Sequence, residues 1–507
     1  MFQLRKVAAI LLVLPLGAFA LLTPAATNDP AAMDAIVRKA RDFWKVPGTA
    51  IAIVRDDQVI YLKGFGVTEV GKPEPVTPDT LFPLASCTKA FTTTAMAMLA
   101  DEGKLDWDDH VRKHLDYFHL ADPLADEDVR LRDLVCHRTG LAPNDLLWYR
   151  SPWAPEEVVQ RIGHVKLKHP FRTAFQYQTT MFTAAGLAAA HAAGCPWDRL
   201  VQRRIFDPLG MKSANFTTSA ALASSDHASP HRRNAQGKIE VIPWYPMTVP
   251  DPAGSINASV RDLAQWMRFQ LGDGTFEGKR LVSAKNLGET HMAQMVIRME
   301  GLAKAMNPET VHMSYGMAWV IQDYRGRAMR SHAGVIDGFR AHITLLPADR
   351  IGIVILNNLD RTTMNLAASN ALVDLLLKLP SRDWNAYFQQ KNAEERTVAD
   401  ARFQERQKGR RPDSRPSHGI TAYVGDYEDA AYGTATISIE NERLLWKWYS
   451  FTAPLMPFNG DTFTIDNDLL GHPRVQFTLA DGHIAGMKLM DVAEVEFVKV
   501  KVNSGGR

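Results

Sequence analysis

Between residues 49 and 70 the run TAIAIVRDDQVIYLKGFGVTEV sets apolar side chains on alternating positions around an Asp-Asp pair. A period of two predicts strands, and the acidic break predicts a hairpin. From Thr80 to about Leu209 the spacing lengthens to three and four. SCTKAFTTTAMAMLADEG and TTMFTAAGLAAAHAAG read as helices there, separated by proline and glycine loops. SVRDLAQWMRFQLGDG opens on Ser259 as an N-cap and stops at a glycine. Alternation returns in YGMAWVIQDYRGRAMRSHAGVIDGFRAHITLLPADRIGIVILNN, and TTMNLAASNALVDLLLKL closes as a helix before Pro380. Strands at both ends of a helical middle predict an α+β domain, an antiparallel sheet flanked by helices plus a helical lobe.

From 388 to 417 the chain becomes charged and poor in large apolar residues. That composition predicts a solvated helix leading into a linker rather than a basic nucleic-acid patch. Beyond it, short alternating stretches punctuated by Asn-Gly and Asp-Gly predict a small all-β barrel. The pattern divides the chain into a leader (1–25), an α+β domain (26–385), a charged helical linker (386–415) and the barrel (416–502).

The leader changes the picture. Arg5 and Lys6 precede an apolar run from Val7 to Leu22, followed by the small-x-small signals Ala18-Phe19-Ala20 and Thr23-Pro24-Ala25. This is the plan of a secretory signal peptide. The run is shorter than the ~20 residues of a spanning helix and contains Pro15 and Gly17. Export to a periplasm or beyond is expected, with no transmembrane segment after cleavage; an uncleaved anchor is the alternative. Apolar and charged fractions of 46% and 22% are those of a globular protein, and a net charge of +2 does not point to nucleic acid. Three widely spaced cysteines make no disulfide framework.

Ser86 and Lys89 stand three apart where a helical pattern begins, hence side by side on one face. A serine hydroxyl needs a base beside it to become a nucleophile, and a lysine serves only when burial keeps it neutral. By itself the pair also fits a capping serine and a solvated lysine. Tyr177 before the alanine-rich helix and His332-Ala333-Gly334 at a strand edge complete an ordered set. With LVCHRTGL, YGMAW and PAGSINASVRDLAQW, the set resembles the serine β-lactamase-like family of penicillin-binding proteins, class C β-lactamases, D-amino-acid peptidases and family VIII esterases. The resemblance spans roughly residues 30 to 378.

It implies Ser86 as nucleophile, with Lys89 and Tyr177 relaying its proton and a shared buried site lowering the pKa of both. It implies the backbone N–H groups of Ser86 and Val335 as oxyanion donors, and His332 and Gly334 as substrate-facing strand residues. His137 reads as a structural residue tying a loop. Thr179 stands where the family has asparagine in its Tyr-x-Asn motif, which weakens the case for β-lactam hydrolysis. The barrel resembles the lipocalin-like appendages of some peptidase relatives.

Competing chemistries have less support. G-x-S-x-G and H-E-x-x-H are missing, and HVRKH (110–114) reads as a solvated turn, so no metal or cofactor is expected. The reading is an exported serine hydrolase acting on a small ester, amide or D-amino-acid peptide. The alternatives are a weakly catalytic penicillin-binding or sensing module and a true β-lactamase.

Overall fold

The computed structural model describes residues 29–411, 413–493 and 495–500, so the leader lies outside the described residues. Helix α1 (Pro30–Trp44) is capped by Asp29, whose carboxylate accepts from the Ala31 N–H at 2.9 Å, and proline opens it. Its buried residues Met33, Val37, Ala40 and Trp44 fall on one stripe, which faces a sheet. Strands β1 (Gly48–Arg55) and β2 (Gln58–Gly66) form the expected hairpin. Asp56 and Asp57 both take left-handed φ (49° and 65°), the geometry of a turn that matches strand twist.

The helical middle contributes α2 (Thr88–Asp101), α3 (Thr179–Ala193) and α4 (Val260–Leu271). Ser259 caps α4 through the Asp262 N–H at 3.2 Å. Strands β3 (Met295–Val296), β4 (Met313–Tyr315), β5 (Val320–Tyr324), β6 (Arg327–Ile336), β7 (Phe339–Leu346) and β8 (Ile351–Asn357) follow. They join the first hairpin in one antiparallel sheet of order β2-β1-β8-β7-β6-β5-β4-β3. Strand β1 lies inside it, with Ile51 opposite Ile355, so both ends of the domain close into one layer.

Alternation along β1 assigns its faces. Ile51 and Ile53 pack with α1 and α5 (Met364–Leu376), whereas Ala50, Ala52 and Val54 join the core of the helical lobe. Helix α2 is buried along Thr88–Leu99, which is why it is apolar or small all round rather than striped. Phe91 stacks on Trp266 of α4 at 3.9 Å.

Helix α6 (Trp384–Gln407) carries the charged stretch, and only Trp384, Asn385 and Phe388 in its first turns are buried. The Trp384 indole donates to Asp374 at 2.8 Å and fixes that end. Then β9 (Gly425–Asp429), β10 (Gly433–Glu440), β11 (Arg443–Trp448), β12 (Phe451–Asn459), β13 (Thr462–Ile465), β14 (Arg474–Ala480), β15 (His483–Leu489) and β16 (Val495–Lys499) close into an eight-stranded antiparallel barrel. Closure leaves no edge strand unpaired. Tyr427, Ile437, Trp446, Trp448 and Phe477 are among the buried residues of the barrel.

Candidate active site

Ser86 sits on the single 3₁₀ turn Ala85–Cys87 that leads into α2. Ala85 is held at φ 45°, a left-handed conformation that costs a non-glycine residue about 1–3 kcal/mol. The surroundings over-determine it. Leu84 N–H donates to Ile256 O at 2.8 Å, Ile256 N–H to Thr88 Oγ1 at 3.1 Å, and Thr92 Oγ1 to Pro252 O at 2.7 Å. The segment from Asp251 to Ile256 thereby splints the nucleophile turn.

Lys89 Nζ lies 3.0 Å from Ser86 Oγ and donates to Ala253 O at 2.9 Å. No part of Lys89 reaches bulk solvent (0% exposed). Burial brings its pKa down to about 8, with the carboxylates of Asp251 and Asp145 pulling the other way. The Tyr177 phenol interacts with Ser86, and its ring lies 5.1 Å from Lys89 Nζ. Burial raises that phenol above its usual range, since desolvation penalises the phenolate. The expectation that one shared site lowers both groups is therefore corrected. The same burial lowers the lysine and raises the tyrosine, because one loses a charge on deprotonation and the other gains one.

Strand β6 forms the opposite wall. A Cβ on Gly334 would come within 2.0 Å of Leu84 O, so only glycine allows the strand this close to the serine turn. The two-residue turn Asp337-Gly338 makes Ile336–Phe339 the closing pair of the β6–β7 hairpin. By antiparallel alternation the next pair, Val335–Arg340, turns its N–H groups away from the partner strand. The Val335 N–H accordingly points away from β7. The His332 ring is directed inward: Nδ1 donates to Ala333 O at 2.7 Å and Nε2 accepts from the Tyr315 hydroxyl at 3.0 Å. Burial holds this imidazole neutral, at about 3. With both nitrogens engaged, the ring braces the strand and does not offer a donor to the cleft. The Cys87 thiol, pushed up to about 12 by burial, donates to His332 O at 3.4 Å and is no rival nucleophile.

His137 ties the Tyr177 loop: its Nδ1 accepts from Gln178 N–H at 3.0 Å, and its ring packs 4.2 Å from that of Tyr177. The Gln178 side chain accepts from Thr139 Oγ1 at 2.6 Å and donates to Leu141 O. Thr179 opens α3 and directs its hydroxyl at Asp145 Oδ1, 3.4 Å away. The HVRKH run contains a 3₁₀ turn, but His114 is buried on Asp109 at 2.9 Å rather than solvated. Among the described residues no group of three His, Cys, Asp or Glu side chains could hold a metal ion.

Two carboxylates beside Lys89 were not singled out in the sequence. Asp251 is half-buried and accepts from Ala253 N–H at 2.7 Å and Thr183 Oγ1 at 3.1 Å, which fixes the carbonyl that receives Lys89. Asp145 heads a short turn that accepts the Trp148 indole at 2.9 Å. Neither lies in a periodic pattern, so no sequence signal marks them.

The barrel reaches this same wall. Tyr432 donates to Asn144 Oδ1 at 3.1 Å, Ser450 Oγ to Arg150 O at 3.3 Å, and Trp153 meets Tyr449 edge-on at 4.9 Å. From the loop between, Tyr149 and Arg150 grip Asp337, at the β6–β7 turn, at 2.8 and 2.6 Å. Residues 144–153 thus form a strap from the barrel to the tip of the Val335 strand.

Comparison with known proteins agrees with this fold. A family model described as Beta-lactamase matches residues 34–378, and one described as a domain of unknown function (DUF3471) matches 409–503. The unguisins hydrolase ungD of Aspergillus violaceofuscus is 27% identical over 369 residues, 68% of this chain and 65% of that protein's length. The octameric penicillin-binding protein homologue from Pyrococcus abyssi superposes with a TM-score of 0.61 at 19% identity, over 93% of this chain and 100% of its own. EstCE1, a hydrolase with promiscuous acyltransferase activity, superposes with a TM-score of 0.57 at 18% identity, over 68% and 98%.

Proposed function

Because the chain belongs to the β-lactamase family, we propose that it is an exported serine hydrolase that forms an acyl-enzyme on Ser86 and cleaves a small ester, amide or D-amino-acid peptide. The observation that carries this reading is the buried Lys89 amine at 3.0 Å from Ser86 Oγ, with its pKa near the working range of a base.

The Ser86 oxygen attacks the substrate carbonyl carbon while its proton passes to neutral Lys89. Tyr177, protonated at neutral pH, hands a proton to the departing alcohol or amine and recovers one from the Lys89 ammonium. The N–H groups of Ser86 and Val335 hold the developing oxyanion, aided by the positive end of α2. Water then attacks the acyl-enzyme by the reverse proton path, releasing the acid and restoring Ser86. The relative that is itself a hydrolase with acyltransferase activity supports an acyl-enzyme, since that intermediate accepts either water or another nucleophile. Arg5, Lys6 and the apolar run after them support export.

The test is a fluorophosphonate probe on the purified protein, followed by a turnover assay on short-chain esters and amino-acid amides. Labelling at Ser86, loss of labelling in Ser86→Ala and repeated product release support the reading. Labelling without turnover would return the protein to a binding or sensing role.

A further inference from the structure

A small cavity lies beside the serine turn. Pro83 and Gly254 line it from the approach to the turn and from its splint, Ile336 and Phe339 from the β6–β7 hairpin, and Trp244 and Met247 from a third segment. Chain neighbours and contacts place it next to the reacting groups. Gly254 follows Ala253, whose carbonyl receives Lys89 at 2.9 Å, and a Cβ on Gly254 would lie 3.9 Å from the Ala85 carbonyl carbon. Ile336 follows Val335 in β6, and Pro83 precedes the Leu84 carbonyl that Gly334 abuts. Tyr177, which serves the leaving group, packs instead on His137 at 4.2 Å and has Lys89 and His332 as its other neighbours. None of these four residues lines the cavity. The space is also tight. Its volume is about 20 Å³, close to the least that admits a water-sized group. No lysine, arginine, aspartate or glutamate lines it, so it suits an uncharged group. The Trp244 ring packs 4.9 Å from that of buried Phe339, which blocks its retreat before a longer chain.

We propose that this cavity receives the acyl group of the substrate and that Trp244 limits that group to acetyl size, so that the preferred substrates are esters or amides of the shortest acids. This rests on the serine-hydrolase reading above and narrows it. With the leaving group directed to Tyr177, the acyl group is left to the side where Gly254 and Ile336 stand. A methyl group fits there, whereas each further methylene must displace the Trp244–Phe339 wall or remain in water. One methylene more or less in an apolar pocket changes kcat/KM by about 10–200-fold. No hydrogen bond from the indole Nε1 to the described residues ties Trp244 in place, so packing alone sets the limit.

The test compares kcat/KM for p-nitrophenyl acetate, butanoate and octanoate on wild type, Trp244→Ala and Gly254→Ala, with fluorophosphonate labelling of Ser86 as the check on an intact site. Wild type is expected to favour acetate over butanoate at least about tenfold. Trp244→Ala should collapse that ratio by raising the rate on butanoate. Gly254→Ala, whose methyl has room beside Ala85, should shrink the cavity and steepen the fall with chain length; it carries the test if Trp244→Ala does not fold. If Trp244 serves only the fold, its loss scales all three esters together and the ratio is unmoved, which overturns the proposal. Wild-type turnover of butanoate as fast as acetate also overturns it, while leaving the hydrolase intact. Failure to turn over any of the three esters would overturn the hydrolase reading and the proposal with it.

Discussion

The Tyr432 phenol donates a 3.1 Å hydrogen bond to Asn144 Oδ1, joining a barrel turn to the residue before Asp145. The barrel is thus hydrogen-bonded into the wall of the cleft. One neutral hydrogen bond contributes about 0.5–1.5 kcal/mol. Tyr432→Phe is expected to lower kcat/KM by a few-fold, up to about tenfold, with the melting temperature of the whole chain little changed. A kcat/KM equal to wild type would show that the strap keeps its position without the barrel.

The apolar interior of the barrel runs on into the catalytic lobe through Tyr432, Tyr449, Phe451 and Trp153. Lys408 and Arg410, by contrast, lie in an exposed stretch beyond α6 where trypsin has access. Brief trypsin treatment is expected to nick the chain there and leave both pieces associated on a sizing column, with Ser86 still reactive. Fragments that separate without denaturant would mean the strap contacts are too weak to couple the barrel to the site.

The sequence made some of this site legible because chemistry and periodicity coincide locally. Ser86 and Lys89 are one helical turn apart, and Asp56-Asp57 names its own turn. That one antiparallel sheet closes the domain followed from strands at both ends. What stayed hidden depends on contacts between distant positions. Asp251 acts on Lys89 across more than a hundred residues, and Tyr432 reaches Asn144 across nearly three hundred. His332 was legible as a motif position, but that its ring faces Tyr315 and not the cleft depends on which face of β6 packs inward. The opposed shifts of Lys89 and Tyr177 needed the depth of burial, which composition does not supply.

Lys89 gives a pH signature of known sign. Its pKa of about 8 lies below the ~10.4 of an exposed lysine. The base is active when neutral, so kcat/KM should rise with pH through about 8. Between the two pKa values the unfolded chain binds a proton that the native state does not, so stability also rises with pH there. The gap corresponds to about 3 kcal/mol. Lys89→Met should abolish turnover and melt higher than wild type at pH 7, with the advantage shrinking above pH 8. A variant that melts lower at every pH would mean that the bond to Ala253 O outweighs the cost of burying the amine.

Gly334 offers a separate test of how β6 and the serine turn are held together. Any Cβ there meets the Leu84 carbonyl oxygen, which is backbone and cannot swing aside. Gly334→Ala must move the strand or the turn, and with it the spacing between the N–H groups of Ser86 and Val335. Loss of one oxyanion donor costs about 10²–10³ in kcat. A fall of that size is expected, with fluorophosphonate labelling slowed in proportion. Near-normal activity would show that Val335 lies outside the oxyanion site.

Thr179 tests substrate class. Its hydroxyl is directed at Asp145, so this position offers no amide donor and acceptor pair to a substrate side chain. A β-lactam or acylamino substrate then lacks one hydrogen bond, a loss of roughly 0.5–1.5 kcal/mol or up to about tenfold in rate. Small esters have no such amide to satisfy. Thr179→Asn is therefore expected to raise the acylation rate by a chromogenic cephalosporin and leave short-chain ester cleavage nearly unchanged. Stopped-flow acylation separates the two effects from deacylation. If wild type already hydrolyses cephalosporins as fast as esters, a hydroxyl suffices at this position. If the substitution helps neither class, Asp145 holds residue 179 away from the substrate, and selectivity comes from the strap.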